Sequence, residues 1–92
     1  MKIHELLDKP EKWTKRAMAK NAHNLCVPPD SSLATCWCIV GATRRCYKSQ
    51  TEITKVIEAI FSKVGGDSVV TWNDHPKTTF SDVRRLALEL DI

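Results

Sequence analysis

Apolar residues recur along this chain in several helical stripes, and one run is apolar all round. Ile53, Val56, Ile57, Ile60, Phe61 and Val64 follow the i, i+3, i+4, i+7 rhythm of a single buried helix face. Ser49 and Glu52 ahead of them have the spacing of a capping box, and Gly65-Gly66 supplies a left-handed stop. The pattern predicts a helix from Ser49 to Val64, with Lys55, Glu58 and Lys63 on its outer face. Thr79 to Asp82 repeats the capping signature before Val83, Leu86, Ala87 and Leu90, which predicts the last helix. Ile3, Leu6 and Leu7 share one face of a short first helix that Pro10 ends near Asp8. Residues 11–22, with Trp13 and Ala17 on one side, read as a further helical piece.

The all-round apolar run is Cys36-Trp37-Cys38-Ile39-Val40-Gly41-Ala42, within a stretch free of charge from Ser31 to Thr43. A helix apolar on every side belongs in a core. Pro28 and Pro29 close the preceding loop, and Asp30, Ser31 and Ser32 offer N-cap oxygens. The expectation is a central helix over 31–46, with Arg44 and Arg45 at its dipole-favoured end. Gly41 inside it costs up to about 1 kcal/mol against alanine, which points to another backbone passing close by. Val69 to Trp72 reads as a short extended segment, and Asn73 to Pro76 as a turn. Together these elements predict an all-α fold, one compact domain over 1–92 built around the central helix.

Composition narrows the function classes. Hydrophobic and charged residues make up 42% and 27% of the 92 residues, the proportions of an ordinary globular chain. No apolar run approaches the roughly 20 residues of a membrane span, and the N-terminus lacks a signal peptide's apolar region. A cytoplasmic location without membrane contact is therefore expected. The net charge of +3 is mild, and a pI of 8.8 stops just short of the usual nucleic-acid-binding range. Basic residues concentrate at Lys9, Lys12, Lys15, Arg16 and Lys20, and again at Arg44, Arg45 and Lys48. With three glycines in all, no glycine-rich phosphate loop is present, which argues against nucleotide hydrolysis.

The cysteines admit two chemical readings besides plain burial. A thiol enzyme would use Cys36 or Cys38 as nucleophile, His75 as base and Asn73 or Asp74 to orient it. The pair Cys36-Trp37 faintly resembles papain-like peptidases, but the glycine context is missing and Cys36 lies inside the expected helix rather than at its first amides. A zinc site could draw on His23, Cys26, Cys36 and Cys38. On a helix, however, Cys36 and Cys38 point about 200° apart and cannot face one ion. Free cysteine in an apolar run behaves as a small buried hydrophobe, so neither a metal nor a cofactor is expected.

Three signatures in order resemble a family of short bacterial and phage proteins without an assigned activity. They are Trp13…Ala17-Met18-Ala19, then Cys38-Ile39-Val40-Gly41-Ala42, then Trp72-Asn73-Asp74 followed by Thr79…Asp82-Val83. This chain departs from the family pattern at Arg16, where a glycine is common, and across Asn21 to Asp30. The resemblance implies a compact helical domain and no catalytic residue. The functional expectation is a small accessory or interaction protein binding a protein or nucleic-acid partner. Its candidate faces are Arg44, Arg45 and Lys48, and the turn at Trp72, Asn73, Asp74 and His75. The rival is the thiol enzyme.

Overall fold

Where the stripes carry their own caps, helices form as the pattern predicts. The computed structural model describes residues 1–66 and 68–92. The described helices are α1 (Ile3–Leu6), α2 (Ile39–Cys46), α3 (Gln50–Val64), α4 (Val69–Asp74) and α5 (Phe80–Leu90). Ser49 Oγ accepts the Glu52 amide at the start of α3, and Gly65 ends it with a φ of 80°. Thr79 and Asp82 form a reciprocal capping box on α5.

The all-α expectation is overturned by a two-stranded antiparallel sheet, β1 (Ala19–Asn21) and β2 (Ala34–Trp37), which makes the fold mixed α/β. The expected central helix over 31–46 is in fact a strand followed by a shorter helix. Ala19 pairs with Trp37, Lys20 with Cys36 and Asn21 with Ala34, with an irregularity between Lys20 and Asn21. Single bridges widen the sheet on both sides, Trp13 to Trp37 and Cys26 to Lys20. The helical piece expected over 11–22 is likewise corrected: a 3₁₀ turn at Pro10–Lys12 leads through a bridge at Trp13 and a bent segment at 15–18 into β1. Ser31 and Ser32 do not cap a helix. Ser31 Oγ instead accepts the Leu33 amide in a turn, the other use to which a serine hydroxyl is put.

The switch from strand to helix falls at Cys38. Its backbone is extended (φ −75°, ψ 171°), and its sulfur accepts the Gly41 amide at 3.3 Å, so a thiol occupies the N-cap of α2. The extended segment expected at Val69 to Trp72 is helix α4. Ser68 Oγ accepts the Thr71 amide at 3.0 Å, and this cap outweighs the β preference of Val-Val-Thr. Asn73 and Asp74, expected in a turn, are the last residues of that helix.

The apolar run does lie at the centre. Trp37, Cys38, Ile39, Val40 and Ala42 are buried with Ile3, Leu7, Ile60 and Val83 from the surrounding helices. Arg84 fastens α5 to α1 by donating from Nη1 to the carbonyls of His4 (2.7 Å) and Leu7 (3.0 Å). Those are carbonyls that a four-residue helix cannot satisfy itself. The Ile3 amide donates to the Ile92 carbonyl, and Lys2 pairs with Asp91 at 2.6 Å.

Gly41 sits where α2 crosses the chain entering β1. An ideal Cβ there would lie 1.8 Å from the Met18 carbonyl oxygen, which itself accepts the Cys38 amide. Backbone cannot yield as a side-chain tip can. Gly41→Ala should therefore destabilise the fold by about 3 kcal/mol, read as a lowered midpoint in urea, despite alanine's better helix propensity.

Candidate functional site

Asn73 occupies the centre of the Trp72-Asn73-Asp74 signature and is fully buried. Its Oδ1 accepts from Trp13 Nε1 (2.8 Å) and from the Ile39 amide at the first turn of α2 (3.0 Å). Its Nδ2 donates to the Thr14 carbonyl (3.2 Å) and to Asp74 Oδ1 (3.0 Å). One carboxamide thus uses two acceptor and two donor positions to join α4, α2 and the segment at 13–14. Asp74 Oδ1 also accepts the Arg16 amide at 2.9 Å, and Lys15 Nζ donates to the His75 carbonyl at 2.6 Å. Trp72 is half-buried against the core, and Thr78 Oγ1 donates to its carbonyl. Of the four candidate residues in this stretch, His75 alone is exposed; its Nδ1 accepts the Lys77 amide.

The basic candidates separate in the same way. Arg45 donates to the carbonyls of Pro29 and Ser31, and its guanidinium lies 5.5 Å from the centroid of the Trp37 ring. That arginine holds the loop at 29–31 onto the sheet. Arg44 and Lys48 are exposed and line a hollow with Pro29, Asp30, Tyr47 and Ile53.

Arg44 also reaches a second, larger depression of about 610 Å³ between α2, α3 and α4. Val40, Ile57, Phe61, Val69 and Val70 supply its apolar surface. Phe61 is 46% exposed and Val70 50% exposed, so two large apolar side chains lie half in solvent at one groove. Sequence reasoning missed this face because Phe61 reads as the buried stripe of α3 and Val70 as part of a strand. The Ser68 cap was the available signal: once α4 is helical, Val69 and Val70 can no longer alternate across a sheet.

The four cysteines are free. Burial pushes the Cys38 thiol above its ordinary value, against the opposing pull of the Gly41 amide, and its sulfur is already engaged as a cap. Cys36 contacts the Lys20 carbonyl at 3.9 Å; among the described residues no hydrogen bond joins Cys36 or Cys38 to His75. Cys26 and Cys36 flank Lys20 on opposite sides in the sheet, two strand spacings or about 10 Å apart. That separation exceeds the reach of a disulfide, roughly 7 Å between Cα atoms. No group of three His, Cys, Asp or Glu side chains converges among the described residues.

Two measurements check this arrangement. Asn73→Ala would leave the Trp13 indole and the Ile39 amide without their acceptor, and should lower unfolding free energy by about 3 kcal/mol. With a chromogenic disulfide at neutral pH, exposed Cys26 should react first in the native protein and Cys38 only on unfolding. Fast labelling of Cys38 would mean that its cap opens readily.

Among the described residues no helix is long and apolar enough to cross a membrane. Neither a curated protein nor a solved structure matches the chain. A family model does match, across residues 1–89, and it takes in the Asn73 junction, the thiol-capped helix and the three helices that wall the groove. The chain therefore belongs to DUF6197, a family of unknown function.

Proposed function

We propose that this protein is a small interaction module that docks an apolar segment of a polypeptide partner in the groove between α2, α3 and α4. The observation that carries the reading is the pairing of a depression of about 610 Å³ with two half-exposed hydrophobic side chains, Phe61 and Val70, on its walls. Apolar patches rimmed by polar residues mark interaction surfaces, and a groove between helices takes the apolar face of an amphipathic helix. Arg44 and Glu58 line the same groove and would set the direction in which a segment lies. Lys48, beside Arg44 in the adjoining hollow, extends the polar rim. Asn73 fixes α4 against α2 by accepting the Ile39 amide, whereas Arg45, Trp72 and Asp74 make their contacts away from the groove. A cytoplasmic setting in a bacterial or phage-infected cell belongs to the same reading and follows from the resemblance and the sequence.

A photo-crosslinking residue placed at Val70, compared with one at Leu88, tests the proposal. Leu88 is as exposed as Val70 but lies on α5, outside the groove. Adducts to another polypeptide should form from position 70 and not from position 88. Equal labelling from both positions, or none from either, would remove the groove as a docking site. Phe61→Asp should abolish the adduct while leaving the fold intact, because Phe61 is half in solvent already.

A further inference from the structure

Away from the groove, three cations and an imidazole gather at the corner where the chain at 13–16 meets the end of α4. Lys15 Nζ donates to the His75 carbonyl, the Arg16 amide to Asp74 Oδ1, and the Lys77 amide to His75 Nδ1. These bonds bring residues 15, 16, 75 and 77 into one patch although the sequence separates them by about sixty positions. Arg16, His75 and Lys77 are exposed, and Lys15 is held over the Trp13 ring, 5.4 Å from its centroid. Because His75 Nδ1 is an acceptor, a neutral ring carries its proton on Nε2 and offers a donor there. Asp74 is the one carboxylate these bonds place in the corner, and its Oδ1 already accepts from the Arg16 amide and Asn73 Nδ2.

Arg16 is the telling residue. Its φ is +68°, in the left-handed region, and among the described residues the other positive-φ positions outside glycine are Asn24 and Asp91, types that tolerate it. The Asp74 carboxylate holds the backbone in that conformation through the amide alone. Among the described residues the guanidinium makes no hydrogen bond or ion pair within the chain. A glycine would meet the backbone requirement without strain, so neither the dihedral nor a polar contact of the guanidinium calls for an arginine here. Strain kept at an exposed cation beside two others is a reason to look for a ligand. We infer that Lys15, Arg16, His75 and Lys77 form a contact site for the phosphodiester backbone of nucleic acid. Phosphates suit the corner because each accepts from an arginine fork, an ammonium or an imidazole N–H without requiring a pocket. This inference is independent of the groove.

Binding of a short labelled oligo-dT and of a short DNA duplex, followed by anisotropy across a salt series, tests it. Three neutralised phosphates predict a slope of log K against log salt of about −2 on the single strand and about −3 on the duplex. Arg16→Gly should weaken binding severalfold and flatten the single-strand slope by about 0.7, while raising the thermal midpoint. Opposite signs for binding and stability are the signature, and a variant that is stabilised cannot have lost binding by unfolding. Arg16→Lys should retain binding, Lys77→Ala should reproduce the loss, and Arg44→Ala should change nothing. The site is overturned if neither oligonucleotide binds at low salt, or if Arg16→Gly binds as well as the parent. Equal affinity for poly-glutamate would overturn the assignment to nucleic acid, and an equal loss in Arg44→Ala would move the contact elsewhere.

Discussion

The buried carboxamide of Asn73 is the interaction on which the rest of the arrangement depends. A primary amide in an apolar interior is tolerated only when its hydrogen-bonding positions are answered, and here two acceptor and two donor contacts come from four different residues. The requirement is mutual. The Ile39 amide at the head of α2 and the Trp13 indole have their acceptor in Asn73, so α4 must lie across both. Packing alone would permit α4 to slide along α2; directional bonds at a buried point fix its register. Two surfaces follow from this one junction: the groove, whose walls are α2, α3 and α4, and the basic corner, which lies one residue beyond Asn73.

The head of α2 shows how closely the constraints are shared. Within four residues, Cys38 caps the helix through sulfur, Ile39 donates to Asn73, and Gly41 makes room for the Met18 carbonyl. Met18 in turn accepts the Cys38 amide, so strand pairing and helix start use the same two segments. Sulfur is a weak acceptor, and a serine would be the stronger cap. Cysteine suits the position because the site is buried on its other side, where a hydroxyl would need a second partner.

Local signals were legible in the sequence and non-local ones were not. Ser49 with the stripe from Ile53 to Val64, and the Thr79–Asp82 box with Val83, Leu86 and Ala87, specify α3 and α5 because cap and face lie within the same few turns. The reading of Gly41 as a point of close backbone approach also holds. Ala34 to Trp37 escaped because its strand character comes from pairing with Ala19 to Asn21, across a loop that no periodicity describes. Asp30-Ser31-Ser32 compounded the error, since side chains that cap helices also make turns. At Val69 to Trp72 β-branched residues suggested extension, while one serine hydroxyl decided otherwise. For the candidate faces, the sequence offered charges and aromatics without saying which were already engaged. Asn73 is buried and Arg45 is engaged by the 29–31 loop, whereas Arg44, Lys48 and His75 reach solvent.

The bonds from Arg84 to His4 and Leu7, and from Ile3 to Ile92, span nearly the whole chain. Closing such long loops is paid in entropy before any contact rewards it, which slows folding relative to a bundle of neighbouring helices. During synthesis α1 has no partner for its terminal carbonyls until α5 has emerged. The C-terminal end of α1 is therefore closed only when α5 docks, which ties the first helix of the chain to the last rather than to its neighbours in sequence.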